Sequence, residues 1–187
     1  MKIDVLAVCT GNICRSPAVE RLLAARTGLV VRSAGTRAAV GSPVSASMAS
    51  LLDGAGIATQ GFAARQLSAE HVESAPLILT ASREHRSVVV ELDPGALGRT
   101  FTLRELVRLL GHLPEARLAE IRSAPTPRSR VRELAAAAKE ARAKAALVAT
   151  DPTADDIVDP IGRPSNVYAE VYRQIDAAVS SLARVLG

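Results

Sequence analysis

The chain runs to 187 residues, 48% hydrophobic and 22% charged, with a formal net charge of +4 and a pI near 9.6. That apolar share excludes a disordered polymer and is enough to bury a core. Its two cysteines exclude a disulfide framework, and the apolar run at 3–8 is too short for a signal h-region or a membrane span.

In chain order, Ile3-Asp4-Val5-Leu6-Ala7-Val8 reads as a buried strand, near 2–8. Cys9-Thr10-Gly11-Asn12-Ile13-Cys14-Arg15-Ser16-Pro17 follows. Pro17 opens a helix near 17–27, at the first helical position, where its missing N–H costs nothing. A strand, a tight loop and a helix N-terminus make a cradle of backbone N–H groups for a tetrahedral oxyanion. A thiol at the bottom of that cradle is a nucleophile towards phosphorus. Convergent N–H groups, the helix dipole and the Arg15 cation all favour the thiolate of Cys9. Arg15 has the planar fork that holds two oxygens of a phosphoryl group. Gly11 and Asn12 tolerate the positive φ that an inward-turned loop requires. Ser16 is placed to donate to the Cys9 sulfur. The expected catalytic pair is therefore Cys9 and Arg15, within a phosphate-binding set of Thr10, Gly11, Asn12, Ile13, Cys14, Arg15 and Ser16.

Further strands are expected near 29–32, 77–80 and 156–158. Helices are expected near 43–54, 68–74, 82–92, 102–110, 130–147 and 166–186. The last carries Val167, Val171, Ile175, Val179, Leu182 and Leu186 at helical spacing. Thr102-Leu103-Arg104-Glu105 is a capping box. Short apolar runs alternating with amphipathic stretches argue for α/β with a parallel sheet. Aromatic residues make up only 2%, so the core must be aliphatic.

Residues 111–150 carry Pro114, Pro125 and Pro127, then Arg128, Arg130 and Arg132, then an alanine-rich helix former. The Pro and Arg part reads either as a lid bordering the site or, the favoured reading, as a peripheral insertion. His71, His85 and His112 lack metal-ligand spacing and read as helix-surface or capping residues. The basic charge suits an anionic substrate. Nucleic acid is not expected, since aromatic interleaving is missing, and most arginines read as solvated surface.

Val8-Cys9-Thr10-Gly11-Asn12-Ile13-Cys14-Arg15-Ser16-Pro17 resembles the phosphate-binding loop of low-molecular-weight protein tyrosine phosphatases, within the arsenate reductase-like superfamily. Ser33-Ala34-Gly35-Thr36, Arg65-Gln66-Leu67-Ser68 and Leu77-Ile78-Leu79-Thr80 extend the resemblance, which covers residues 2 to about 110 and about 155 to the end. It implies a three-layer, flavodoxin-like phosphotyrosine phosphatase type I fold. That fold has a four-stranded parallel sheet in the order 2-1-3-4, flanked by helices. Residues 1–187 would form one domain with a longer connection at about 111–150. The Cys9 loop would then stand at the carboxyl end of the central strands, where open α/β sheets bind ligands.

The resemblance also implies a general-acid aspartate in an Asp-Pro pair near the C-terminus. Asp159-Pro160 is preferred, because it follows the short apolar Ile157-Val158 and precedes a glycine-containing loop. Asp93-Pro94 reads as a helix stop, Asp151-Pro152 is the reserve, and Asp155 and Asp156 read as solvated charges. Cys9 would attack phosphorus while Asp159 protonates the leaving oxygen, giving a phosphocysteine that water hydrolyses. No metal or cofactor is required. In the family a second loop cysteine, here Cys14, captures the oxidised nucleophile as a reversible disulfide.

Ile161 stands where tyrosine phosphatases of the family often carry an aromatic residue. Ile13 stands where a phosphoarginine branch has threonine, and on that residue the expected substrate is protein phosphotyrosine. A protein-arginine phosphatase, a small-thiol-linked arsenate reductase and a non-catalytic phosphate-sensing adaptor are the alternatives. Expected partners are a phosphorylated protein or a small phosphomonoester, with neither nucleic acid nor membrane. A monomer or weak dimer in the cytoplasm is the expected setting.

Overall fold

The structure is a computed structural model that describes residues 2–145, 151 and 153–187. Four strands, β1 (Val5–Cys9), β2 (Val31–Gly35), β3 (Leu77–Thr80) and β4 (Thr100–Thr102), form one parallel sheet in the order β2-β1-β3-β4. Val5 faces Val31 on one side and Leu77 on the other. The helices are α1 (Arg15–Thr27), α2 (Ala46–Gly54), α3 (Ala69–Ser74), α4 (Arg83–Leu92), α5 (Leu103–Leu110), α6 (Glu115–Ser123), α7 (Pro127–Ala145) and α8 (Ser165–Leu186).

Strand alternation sorts the core into two layers. Val5, Ala7, Leu77 and Leu79 join Leu22 and Leu23 of α1 and Val171, Ile175 and Leu182 of α8. Leu6, Val8 and Ile78 point to the other face, against Val72 of α3 and Val89 of α4. Each fully buried Leu or Ile contributes about 1.5–3 kcal/mol, so these two faces fix the register of β1 and hence the height of Cys9 at its end. Gly28 ends α1 at φ +67°, a left-handed C-terminal turn. Thr102 and Glu105 form the expected capping box of α5 with both reciprocal bonds.

The strand expected near 156–158 is not one. Those residues run irregularly and touch the sheet through Ile157 N–H to the Ala81 carbonyl, at 2.8 Å. The fourth strand is Thr100-Phe101-Thr102, buried at all three positions. Three residues carry too little alternation to be read, and Thr102 also serves as the α5 N-cap, which masks its role as a strand end.

Residues 111–145 correct both readings of the long connection. They fold into α6 and α7, whose Ile121, Val131, Leu134, Ala137 and Ala138 are buried in the main core. Arg128 donates to the carbonyls of Ile3 and Ser74, just before β1 and β3. The segment therefore braces the amino ends of the strands, away from Cys9, and is neither a lid nor a peripheral appendage. The rest of the connection, 146–150, lies outside the described residues. Arg142 of α7 lies over the Phe101 ring at 3.9 Å and donates to Glu105 and to the Thr100 carbonyl. Arg128 and Arg142 thus hold the fold together, exceptions to the reading of the basic residues as mostly solvated surface. Among the described residues no helix is long and apolar enough to cross a membrane.

Candidate active site

Cys9 closes β1, and its chain continues as a loop to Arg15, the first residue of α1. Most carbonyls of this loop turn away from it. Those of Val8, Cys9, Thr10, Gly11 and Ile13 accept from the amides of Ala81, Thr36, Arg37, Ala39 and Ser45 at 2.7–3.0 Å. Conversely, the N–H groups of Thr10 to Ser16 find no acceptor among the described residues. A run of amide donors left free by outward-turned carbonyls is an anion nest at a helix N-terminus.

The neighbouring segments that resemble the family are what hold this loop. Gly35 packs so closely that a Cβ would come 2.5 Å from the Thr10 carbonyl. Arg65 N–H donates to Asn12 Oδ1 at 2.8 Å, and Gly35 N–H donates to the Arg65 carbonyl. Asn12 takes φ +53°, the one positive value at a non-glycine residue among those described. Its buried amide donates to Ser16 Oγ at 2.9 Å and to Ser33 Oγ at 2.8 Å, and the Ser33 hydroxyl donates to the buried carboxylate of Glu20. Ser16 Oγ lies 3.0 Å from Cys9 Sγ.

Arg15 is 5% exposed. It donates through Nη1 to the Ile157 carbonyl at 3.1 Å and through Nη2 to Asp159 Oδ2 at 2.6 Å, while its Nε–H is buried with no partner among the described residues. The preferred aspartate therefore comes to the loop. The reserve candidate does not share these contacts: Asp151 is exposed and, among the described residues, accepts only from Thr153. Asp93 caps the turn after α4, accepting from Gly95 N–H, and pairs with Arg99.

Asp155 and Asp156 are not solvated charges. Asp155 pairs with Arg108, and Asp156 accepts from Arg83 N–H, so both fasten the segment that carries Asp159 to the sheet end. Each partner is more than 40 residues away in sequence, beyond the reach of local pattern.

Cys14 faces inward beside the Ser45 hydroxyl, and burial pushes its thiol up to about 12. Ile13 is half-buried at the loop surface.

Sequence reasoning missed His85. His71 is a capping residue, as read, in a box with Ser68. His85 also follows its N-cap Ser82 by three residues, but its ring is buried and reaches the loop. Nδ1 lies 2.6 Å from Ser82 Oγ, and Nε2 lies 2.9 Å from Thr10 Oγ1. Burial, and then the Arg15 charge, pulls its pKa down to about 4. The Ser-x-x-His spacing signalled a cap and hid the contact.

A family model described as low molecular weight phosphotyrosine protein phosphatase matches residues 4–120. The low molecular weight protein-tyrosine-phosphatase Etp of Escherichia coli (strain K12) is 42% identical over 98 residues, 52% of this chain. That match spans 66% of Etp, just under two thirds of its length. The protein-arginine-phosphatase of Geobacillus stearothermophilus is 38% identical over 188 residues, covering 100% of this chain and 97% of that protein. Among solved structures, the Erwinia amylovora tyrosine phosphatase amsI shares the fold, with a TM-score of 0.70 at 23% identity over 100% of this chain and 95% of that one. The YwlE arginine phosphatase of Geobacillus stearothermophilus gives 0.68 at 29% identity, over 97% and 91%.

Proposed function

This chain belongs to the low molecular weight phosphotyrosine protein phosphatase family, and we propose that it hydrolyses phosphotyrosine in proteins through a phosphocysteine intermediate. The observation that carries this reading is the set of unpaired N–H groups from Thr10 to Ser16, next to the Cys9 thiol and the buried, partnerless Arg15 Nε–H. Together they supply donors for the equatorial oxygens of a phosphoryl group as charge shifts in the transition state. Cys9 attacks phosphorus in line with the ester oxygen. Asp159, protonated for this step, gives its proton to that oxygen as the P–O bond breaks. The ionised Asp159 then takes a proton from water, which attacks the phosphocysteine and releases phosphate and the Cys9 thiolate. Thr10, Gly11, Asn12, Ile13, Cys14, Arg15 and Ser16 hold the phosphate throughout.

Cys14 is assigned the redox role: a peroxide transfers oxygen to the Cys9 sulfur, giving a sulfenic acid as the peroxide is reduced, and this condenses with the neighbouring thiol with loss of water. Two free thiols in one loop suit a reducing cytoplasm. We read the 187 residues as a single domain acting as a monomer or weak dimer.

A second substrate reading has a specific observation behind it. The match to the protein-arginine-phosphatase runs the length of both chains, whereas the match to Etp covers about half of this one. Ile13 weighs the other way, since its apolar bulk in the cradle crowds a guanidinium. The deciding experiment is kcat/KM on phosphotyrosine and phosphoarginine peptides of one sequence, with Cys9→Ser as the blank. Preference for phosphotyrosine sustains the first reading, and preference for phosphoarginine replaces it with the second. Turnover that persists in Cys9→Ser overturns both.

A further inference from the structure

The surface around the loop changes character at its mouth. Val40, Val158 and Ile161 are 70%, 44% and 46% exposed. Val158 and Ile161 flank Asp159-Pro160. Val40 ends the strip Arg37–Val40, whose amides donate to the Thr10 and Gly11 carbonyls. Half of the large exposed apolar side chains among the described residues thus stand on the two segments that border the site. Exposed apolar side chains on both borders of a site suit contact with a partner.

Arg37 and Arg163 stand among them. Both are exposed, and neither side chain pairs with a carboxylate among the described residues, unlike Arg15, Arg99, Arg108 and Arg142. The Arg37 amide is bonded to the loop itself, and the Arg37 charge is felt at His85, which touches Thr10. Arg163 lies in the turn after Asp159, its N–H donating to the Pro160 carbonyl at 2.9 Å. Glu84 is the exposed acid nearest by sequence to His85, and the exposed Arg83 adjoins it on α4.

A small phosphomonoester confined to the cradle would leave both the apolar trio and the two cations uncovered. A polypeptide segment crossing the mouth would cover them. Resting on the phosphatase reading above, we propose that this mouth docks a phosphorylated protein segment with carboxylates beside the phosphorylated residue. Arg37 and Arg163 pair with those carboxylates, and Val40, Val158 and Ile161 lie under the aliphatic parts of the segment.

The test compares two phosphopeptides with the same phosphorylated residue, one flanked by glutamates and the other by lysines, with p-nitrophenyl phosphate measured alongside. The readout is the ratio of kcat/KM between the peptides, in which any general loss of activity cancels. Each exposed charge pair changes kcat/KM by about two- to fivefold. The wild type should therefore favour the acidic peptide by about tenfold, and the preference should shrink at high salt, where exposed charges are screened. Arg37→Gln and Arg163→Gln should each lower the ratio, and Arg37→Glu should lower it further. Equal turnover of the two peptides, or a preference indifferent to salt and to both substitutions, overturns the proposal and leaves the phosphatase reading standing. Failure to hydrolyse p-nitrophenyl phosphate overturns the phosphatase reading instead.

Discussion

Cys9 Sγ and Ser16 Oγ lie 3.0 Å apart, and donor accounting decides which way that bond runs. The Glu20 carboxylate can only accept, so the Ser33 hydroxyl donates to it. Ser33 Oγ then accepts from the Asn12 amide, whose other N–H goes to Ser16 Oγ. Arg65 N–H on Asn12 Oδ1 fixes the orientation of that amide. The Ser16 proton is left for sulfur. The acceptor-only carboxylate of Glu20 thus sets, bond by bond, the direction that leaves a donor aimed at the proposed nucleophile. A hydrogen bond to a charged group contributes about 1.5–3 kcal/mol. Ser16→Ala should therefore lower kcat by roughly 10- to 100-fold in steady-state assays with p-nitrophenyl phosphate. Ser16→Thr, which keeps the hydroxyl, should recover part of the loss. An alanine variant as fast as wild type would show that the sulfur needs no such donor.

The Arg15–Asp159 bond of 2.6 Å joins a guanidinium to a carboxylate that is 45% exposed on its side chain. In the proposed reaction Asp159 serves the leaving group, so its removal should matter most when that group is a poor one. Asp159→Asn should cost about 10²–10⁴ in kcat on a phosphotyrosine peptide and markedly less on p-nitrophenyl phosphate, whose leaving group needs little protonation. The variant's pH–rate profile should also lose the limb that belongs to the acid. Asp151→Asn should leave both rates unchanged, as its carboxylate accepts, among the described residues, only from Thr153. The reverse pattern would move the acid role to Asp151.

His85 ties stability to pH. Its folded pKa of about 4 lies below the ordinary imidazole value of 6.5, chiefly through burial and secondly through Arg15. Between those values the unfolded chain binds more protons than the folded one, so stability rises with pH in this window. The contribution is present above about 6.5 and is lost as pH falls towards 4. At 1.36 kcal/mol per pKa unit it amounts to roughly 3 kcal/mol. Urea unfolding of the wild type between pH 7 and 4 should show this decline, and His85→Gln should flatten it whatever its absolute stability. A slope unchanged in the variant would assign the decline to other groups.

The legible parts of this chain were those whose pattern is local. The run from Cys9 to Pro17 carries its own turn residues, cation and helix start, and β1 and α8 carry apolar spacings long enough to read. What escaped depends on partners distant in sequence. Thr100–Thr102 is a strand because β3 lies beside it. Asp155 is held by Arg108, and His85 becomes part of the site only when α4 is set against the loop. Arg128 is a clamp for the amino ends of the sheet, and nothing in its proline-rich surroundings says so.

Cys14 tests the redox assignment through the difference between two thiols seated in one loop. Burial holds Cys14 at about 12, so near neutral pH it is a protonated thiol and a poor nucleophile. Iodoacetamide at pH 7 should therefore modify Cys9 and spare Cys14, as read by mass spectrometry of the loop peptide. Inactivation should follow the same modification. Peroxide acts on the reactive sulfur first. The proposed condensation with Cys14 should then protect Cys9 from irreversible oxidation, so that dithiothreitol restores activity. In Cys14→Ser that capture is gone, and brief peroxide exposure should leave a fraction that dithiothreitol cannot recover. Complete recovery in the serine variant would make Cys14 a filler of the α1 entrance rather than a guard of Cys9.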